Sequence, residues 1–199
     1  DYYGAIADYT KAIEINPNDA KAYYNRGNSK RNLKDYYGSI ADYTKAIEIN
    51  PNDASAYLNR GNLKKKLKDY YGAIVDHTKA IEINPNYAKA YYNRGNSKKK
   101  LKDYNGAIAD YTKAIEINPN YASAYINRGL SKKNLKDYYG AIADYTKAIE
   151  INPNYASAYY NRSISKENLG DINGACEDAK KAISLGRKET GNWVSENCN

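Results

Sequence analysis

Apolar residues recur along the chain at helical intervals, within short segments that end at helix breakers. Between residues 35 and 50 the apolar side chains are spaced three and four residues apart: Tyr36, Ile40, Tyr43, Ala46 and Ile47. Such spacing places one apolar stripe along a helix. Asp35 is a good N-cap, and Asn50 precedes a proline, where the helical conformation is disfavoured. The pattern predicts a helix, named helix B, that begins at Asp35 and ends before Pro51.

The preceding segment, residues 20–33, predicts a second and more polar helix, named helix A. Its only breaker is Gly27, which lies one turn after Tyr23 on the same side. A glycine inside a helix costs about 1 kcal/mol relative to alanine. Gly27 therefore indicates that helix B approaches too closely for a side chain, and Ala41 and Ala46 in helix B suit such packing.

The sequence of this helix pair recurs at a fixed period of 34 residues. The prolines that end each helix B keep that step: Pro17, Pro51, Pro85, Pro119 and Pro153. The glycines of helix A keep it as well, with a serine in the last copy: Gly27, Gly61, Gly95, Gly129 and Ser163. Repetition at this period predicts stacked helix pairs, each of which buries its apolar face on its neighbours, and not a single compact core.

The unit resembles the tetratricopeptide repeat. In the copy at residues 88–121 the resemblance rests on six positions: Tyr91, Gly95, Ala107, Tyr111, Ala114 and Pro119. It implies an all-α fold, an α-solenoid whose antiparallel helix pairs form a right-handed superhelix of about twelve helices. The implied boundaries are an orphan helix B at 1–19, repeats at 20–53, 54–87, 88–121, 122–155 and, degenerate, 156–189, and a capping helix at 190–199.

The first residues belong to a helix B whose helix A is missing from the sequence. The chain begins within a unit and contains no methionine, so we expect it to be a piece of a longer protein. Four apolar residues of this helix are expected to be partly uncovered: Tyr2, Ile6, Tyr9 and Ile13. The hypothesis is that the chain self-associates through this end as a homo-oligomer.

Two places in helix A depart from the family pattern, counting from the alanine that opens each copy. The seventh place is always arginine: Arg26, Arg60, Arg94, Arg128 and Arg162. The eleventh is always lysine: Lys30, Lys64, Lys98, Lys132 and Lys166. A buried guanidinium needs a carboxylate or solvent. The interior of helix B offers an aspartate at the same step: Asp8, Asp42, Asp76, Asp110, Asp144 and Asp178. We therefore predict a repeating Arg–Asp ladder between the helices.

The resemblance also implies a ligand-binding concave groove lined by helices A, at the second, fifth, sixth, ninth, twelfth and thirteenth places. Carried onto this sequence, the candidate peptide-binding residues are Lys21, Tyr24, Asn25, Asn28, Arg31, Leu58, Asn59, Asn62, Lys65, Lys66, Lys89, Tyr92, Asn93, Asn96, Lys99, Lys100, Ile126, Asn127, Leu130, Lys133, Tyr160 and Ile164. The ninth place changes from amide to apolar at Leu130 and Ile164. Amides suit an extended peptide backbone, lysines suit acidic groups, and the apolar pair suits an apolar side chain.

Composition indicates the sign of the partner's charge but leaves the partner's identity open. The net charge is +8, and the copy at residues 88–121 carries the largest share of it. A basic groove favours acidic partners. We predict a protein-protein interaction scaffold that binds an acidic peptide or protein. The alternatives are a solvated lysine face with binding elsewhere, single-stranded RNA binding through Lys64–Lys66 and Lys98–Lys100 near tyrosines, and a self-associating structural array.

The sequence shows no constellation typical of catalysis, cofactors or metals. His77 stands where other copies have tyrosine, which predicts a packing role, and no Cys/His cluster has metal-ligand spacing. An enzyme is not predicted. Cys176 and Cys198 favour two buried thiols over a disulfide. No apolar run is long enough to span a membrane; the compartment stays open, with the cytoplasm slightly favoured, and the Lys, Asn, Tyr and Ile content favours a microbial, bacterial source.

Overall fold

The computed structural model describes residues 1–187 and 191–198, and these residues form twelve α-helices and no strands. The prediction of an all-α chain of about twelve helices is confirmed. The helices in chain order are α1 (Tyr2–Ile15), α2 (Ala20–Asn32), α3 (Tyr36–Ile49), α4 (Ala54–Lys66), α5 (Tyr70–Ile83), α6 (Ala88–Lys100), α7 (Tyr104–Ile117), α8 (Ala122–Asn134), α9 (Tyr138–Ile151), α10 (Ala156–Asn168), α11 (Ile172–Ser184) and α12 (Gly191–Asn197).

Helices A and B alternate, and their ends lie where the sequence predicts them. Helix α3, a helix B, has Asp35 as its N-cap, whose carboxylate accepts a hydrogen bond from the Gly38 N–H at 2.9 Å. The helix ends at Ile49, because Asn50 adopts φ −127° directly before Pro51. The predicted boundaries of helix B are therefore confirmed.

The link between helix A and helix B is a tight turn around a left-handed lysine. Lys34 has φ +64°. Its N–H donates to the Arg31 carbonyl and the Asp35 N–H donates to the Lys30 carbonyl, which is the pattern of a Schellman motif. The same left-handed residue recurs in the later copies: Lys68, Lys102, Lys136 and Gly170. This turn ends helix A and leads directly into the N-cap of helix B.

Gly27 marks the close approach of the two helices within a pair. A Cβ atom at Gly27 would lie 3.0 Å from Cε1 of Tyr43, whose side chain is fully buried. A side chain there would force Tyr43 to move. The prediction that glycine permits close packing of helix A on helix B is confirmed at this position.

The chain forms two compact units, Asp1–Ser97 and Lys98–Asn199, and the boundary falls within α6. In the first unit α2 packs on α3 and α4 packs on α5, while α1 contacts α2 and α3 contacts α4. Part of its core is formed by Leu58, Ala80, Ile81 and Ala90. In the second unit α8 packs on α9 and α10 packs on α11, while α7, α9 and α12 contact α8, α10 and α11 respectively.

The exposed face of α1 largely follows the sequence prediction. Tyr2 is 49% exposed, and Ile6 and Tyr9 are half-buried. Ile13 is the exception, because it is buried. Self-association through this end stays a prediction.

The C-terminal end corrects one prediction about the cysteines. Cys176 and Cys198 form a disulfide, so the preference for two buried thiols was wrong. The bridge joins α11 to the end of α12, and Trp193 in α12 donates from Nε1 to Glu167 at 2.9 Å. α12 thus lies against α11, as expected of a capping helix. Residues 189, 190 and 199, where the predicted boundaries of the last repeat and the cap fall, lie outside the described residues.

Candidate functional site

The arginines of the seventh place are used inside the structure, as the predicted Arg–Asp ladder requires. Arg60 donates from Nε and Nη2 to the two oxygens of Asp76, at 2.9 and 2.7 Å, and Asp76 is 1% exposed. Lys64, at the eleventh place, lies 2.9 Å from the same carboxylate. The Arg–Asp pairing recurs as Arg26–Asp42, Arg128–Asp144 and Arg162–Asp178, which confirms the ladder in these copies.

Each of these arginines also reaches the preceding helix B, which the sequence did not reveal. Arg60 donates from Nη1 to Thr44 at 3.0 Å, so that one guanidinium joins α4, α5 and α3. The threonine recurs with the period as Thr10, Thr44, Thr78, Thr112 and Thr146. The cations of the seventh and eleventh places therefore hold neighbouring helices together, which leaves the other cations of helix A as candidates for ligand binding.

The cations of the twelfth place form a different arrangement, here named the cation row. It consists of Arg31, Lys65, Lys99 and Lys133, one on each of the first four helices A. Each donates to the asparagine at the sixth place of the next copy: Asn59, Asn93, Asn127 and Asn161. In the first unit the Lys65–Asn93 contact is 2.7 Å, and in the second the Lys133–Asn161 contact is 3.4 Å.

The lysines of the cation row are half-buried and lack an acidic neighbour. Among the described residues, no carboxylate lies within 4.0 Å of Lys65, Lys99 or Lys133. Burial lowers the pKa of Lys65 and of Lys133, with Arg187 adding to the effect on the latter. Burial, and then the charge of Lys100, lowers the pKa of Lys99 to about 8. A bound anion would compensate the desolvation of these ammonium groups.

The asparagines of the ninth place are partly engaged inside their own repeats. Tyr43 donates its hydroxyl to Asn28 Oδ1 at 2.7 Å, and His77 Nε2 lies 3.2 Å from Asn62 Oδ1. His77 is fully buried, and burial lowers its pKa to about 3. It is therefore neutral at ordinary pH and fills the place of a tyrosine, as predicted.

The fourth copy breaks this pattern, because its ninth place is Leu130. The hydroxyl of Tyr145, which corresponds to that of Tyr43, is buried and has no hydrogen-bond partner among the described residues. In the fifth copy both members of the pair are changed, to Ile164 and Ala179. We call the surface formed by the six groove places the helix A face. In the second unit the ninth place of this face is consequently apolar.

The fifth-place residues differ from the expectation at two positions. Leu58 and Ile126 are each only 6% exposed, so these two side chains belong to the core more than to a surface. Tyr24 is half-buried, and its hydroxyl accepts from Asn59 Nδ2 at 2.9 Å. The other fifth-place residues, Tyr24, Tyr92 and Tyr160, are half-buried, and the sequence alone could not separate these from the buried pair.

The remaining predicted residues lie at or near the surface of their helices. Four lysines of the second and thirteenth places are exposed: Lys21, Lys66, Lys89 and Lys100. Lys66 lies 4.4 Å above the ring of Tyr36 in the preceding helix B, which draws it to that side. Half-buried positions on helices A are Asn25, Asn93, Asn96, Asn127, Leu130 and Ile164.

Two kinds of feature were not found in the described part of the chain. Within residues 1–187 and 191–198, no group of three or more His, Cys, Asp or Glu side chains is placed to hold a metal ion. None of the helices described is both long and apolar enough to cross a bilayer.

Family models match almost the whole chain. A model described as tetratricopeptide repeat matches residues 20–53, 54–87, 88–121 and 122–155, a second such model matches 144–177, and a model described as TPR repeat matches 1–34. A comparison with curated protein sequences gave no match.

Solved structures with the same fold include proteins of similar length. YrrB, described as a TPR protein with an unusual peptide-binding site, is 26% identical, with a TM-score of 0.80 over 94% of this chain and 97% of YrrB. A MamA protein is 28% identical, with a TM-score of 0.79 over 86% of this chain and 94% of that one. MamA of Desulfovibrio magneticus RS-1 is 22% identical, with a TM-score of 0.80 over 85% and 96%, which concerns the fold alone.

Proposed function

The chain belongs to the tetratricopeptide repeat family, and we propose that it is a non-enzymatic scaffold that binds an acidic peptide, or an acidic segment of a partner protein, on its helix A face. An interaction scaffold is what the repeats and the TPR neighbours support. The peptide-binding site named for YrrB adds support for a peptide as ligand.

One observation carries the acidic character of the proposed ligand, namely the cation row. The other recurring cations of helix A are neutralised, because a buried aspartate such as Asp76 accepts from both the seventh-place arginine and the eleventh-place lysine. Among the residues that the structure describes, the one partner of Lys65 and of Lys99 is an amide oxygen of an asparagine in the next copy. A charge that is desolvated without a counter-ion favours an incoming carboxylate.

The amides beside these cations suit a peptide more than a nucleic acid. The asparagines at the sixth and ninth places carry both donors and acceptors, which can pair with an extended peptide backbone. Single-stranded RNA would be held by stacking of successive bases on exposed aromatic side chains. The fifth place has three half-buried tyrosines, Tyr24, Tyr92 and Tyr160. The buried Leu58 and Ile126 stand between them in the order of the copies, so successive copies do not offer successive platforms.

The proposal is tested by fluorescence anisotropy with a short labelled peptide rich in Glu and Asp, and with the same peptide carrying Gln and Asn. We expect the acidic peptide to bind more tightly, and Lys99→Gln to weaken it about tenfold, which corresponds to about 1.4 kcal/mol. Lys79→Gln is the matched control, because Lys79 is exposed on a helix B and already pairs with Glu82.

A labelled single-stranded RNA of mixed sequence is titrated at the same salt concentration. Tighter binding of this RNA than of the acidic peptide would replace the proposal by nucleic-acid binding. Equal effects of Lys99→Gln and Lys79→Gln would show that only general charge matters, and would refute the assignment of the cation row as the binding site.

A further inference from the structure

The cation row repeats with the array, and its step limits where the acidic groups of a ligand can lie. We propose that the ligand carries acidic residues three positions apart in a polyproline II segment, so that two carboxylates meet two neighbouring cations of the row within one unit. This inference rests on the proposed function, because it specifies the spacing and the backbone conformation of the acidic peptide that binds the helix A face.

The ammonium groups of the second unit are held by asparagines at equivalent places. Lys99 donates to Asn127 Oδ1 at 2.5 Å, and Lys133 donates to Asn161 Oδ1 at 3.4 Å. Asn161 is itself fixed, because its Nδ2 donates to the Ser157 carbonyl at 2.7 Å. Asn127 and Asn161 both occupy the sixth place, in α8 and in α10. The two positive charges therefore lie at the same height on two neighbouring helices A, one repeat apart.

Helices α8 and α10 lie side by side and parallel, which sets the distance between the two charges. Ser123, in the first turn of α8, has its hydroxyl 3.1 Å from that of Tyr155, the N-cap of α10. Near its other end, α8 reaches α10 through Lys133. Helices that pack side by side have axes about 8–10 Å apart. The ammonium groups of Lys99 and Lys133 are thus separated by about the same distance.

Two carboxylates can meet both cations only if the peptide backbone brings them to one side at the same interval. In a β-strand alternate residues share a side, at about 7 Å, and the next such residue is at about 13 Å. In a polyproline II helix every third residue shares a side, at about 9 Å. Polyproline II is therefore the extended conformation that matches the row. Its backbone has no internal hydrogen bonds, so it can pair with the amides beside the cations.

An α-helical ligand could also present two carboxylates at this interval, seven residues and about 10 Å apart. A helix that docks in a groove depends on an apolar stripe that meets apolar side chains. In both units the side chains that hold the cations of the row are asparagines. The surroundings of the row therefore favour an extended ligand over a helical one.

The first unit repeats the same pair of cations. Arg31 donates from Nη1 to Asn59 Oδ1 at 3.4 Å, and Lys65 donates to Asn93 Oδ1 at 2.7 Å. Asn93, like Asn161, donates its Nδ2 to the carbonyl oxygen four residues earlier, at 3.0 Å. Each unit therefore offers one pair of cations with the same step, and a single peptide motif should fit both.

Two carboxylates with the matching spacing should bind more tightly than two with another spacing. After the first carboxylate has bound, the second is held at a high effective concentration beside the next cation only if the spacing fits. Proline residues between them pre-set polyproline II and reduce the entropy lost on binding. The ligand inferred from the row is thus a proline-containing segment in which an acidic residue recurs at every third position.

The experiment measures fluorescence anisotropy of the whole chain with four labelled synthetic peptides. Two have the same composition: one contains Glu-Pro-Pro-Glu and the other Pro-Glu-Pro-Glu, so that only the spacing of the glutamates differs. A third has Gln in place of both glutamates of the first, and a fourth is an alanine-based helix with two glutamates seven residues apart. We expect the Glu-Pro-Pro-Glu peptide to bind most tightly, with an affinity about tenfold above that of Pro-Glu-Pro-Glu.

A double variant shows whether the cation row recognises the spacing. Lys65→Gln with Lys133→Gln removes one cation from the pair of each unit. It should abolish the tenfold preference while the chain stays folded, as circular dichroism would verify. The matched control is Lys79→Gln with Lys147→Gln, because both lysines are exposed on helices B and each already pairs with a glutamate. It removes the same charge and should leave the preference unchanged.

Three results would overturn the inference: equal affinity for the two spacings, tightest binding of the helical peptide, or a spacing preference that survives in the double variant. If the inference alone fails, the two Glu/Pro peptides bind equally well, and both still lose affinity in the double variant but not in its control. If the proposed function fails as well, the double variant and its control affect every acidic peptide equally, or no acidic peptide binds.

Discussion

Two tyrosines at equivalent positions of different repeats are expected to respond in opposite directions to the same substitution. Tyr43 and Tyr145 are both fully buried on helices B. The hydroxyl of Tyr43 donates to Asn28 at 2.7 Å, whereas the hydroxyl of Tyr145 has no partner among the described residues, because Leu130 stands where Asn28 stands. Tyr43→Phe should destabilise the protein, and Tyr145→Phe should stabilise it.

The expected magnitudes follow from what each hydroxyl exchanges on unfolding. Tyr43→Phe removes a hydrogen bond whose other partner, Asn28, is half-buried and can be partly hydrated, so the loss is about 1 kcal/mol. The Tyr145 hydroxyl gives up its bonds to water on folding and gains none, and its deletion should restore about 1 kcal/mol. Burial raises the pKa of Tyr145 well above its ordinary value, as expected of a desolvated phenol.

Stability should be measured for each repeat separately, because a repeat array is held together by contacts between neighbouring repeats and part of it can unfold while the rest stays folded. Amide hydrogen exchange of α3 reports on Tyr43 and that of α9 on Tyr145, while urea denaturation gives the summed change. A third variant sharpens the test. In a Leu130→Asn background the Tyr145 hydroxyl regains a partner, so Tyr145→Phe should become destabilising. If Tyr145→Phe destabilises by as much as Tyr43→Phe, or if Leu130→Asn leaves its effect unchanged, the reasoning is refuted.

Three further predictions concern single side chains. Asp76→Asn should lower the free energy of unfolding by about 3 kcal/mol in urea denaturation, because it leaves two cations beside a buried amide. Glu82→Gln, in an exposed pair, should change it by less than about 0.5 kcal/mol. Equal effects would contradict a structural role for the ladder. Lys68→Gly should stabilise by about 1 kcal/mol, because Lys68 has φ +67° and the last copy already has Gly170 at this turn; a lower melting temperature would contradict it. The pKa of Lys99 is about 8 in the folded chain, against an ordinary 10.5. Between these two pH values the unfolded chain binds more protons than the folded chain, so the contribution of Lys99 to the free energy of unfolding should rise with pH. Lys99→Met should remove this rise in pH-dependent urea denaturation, and an unchanged slope would exclude Lys99 as its source.

The fold was largely predictable because its determinants are local and repeat. Asp35 and Pro51 delimit helix B in the sequence, Gly27 marks the contact with helix A, and the 34-residue period extends each inference along the chain. The Arg–Asp ladder was predictable for a related reason. A guanidinium that recurs at a place where the family has a large apolar residue needs a carboxylate, and helix B offers one at a constant separation.

What the sequence could not provide are the contacts between successive copies and at the C-terminal end. The pairing of Lys65 with Asn93 spans 28 residues and depends on how one helix A lies against the next. The disulfide between Cys176 and Cys198 depends on the return of α12 onto α11, and two isolated cysteines do not reveal that path.

The distinction between neutralised and un-neutralised cations connects the stability of this chain to its proposed function. A net charge of +8 by itself only predicts attraction to acidic partners. Among the described residues, the seventh- and eleventh-place cations of helix A, such as Arg60, bind a buried aspartate, whereas a twelfth-place cation such as Lys65 meets an amide oxygen and no carboxylate. The first group stabilises the stack and should be insensitive to ligand. The second group lowers the stability of the folded chain, because its charges are desolvated without a counter-ion. A ligand carboxylate that binds to these cations should therefore both gain affinity and stabilise the folded chain. A ligand-induced increase in melting temperature that disappears in Lys99→Gln but persists in Lys79→Gln would reveal this coupling.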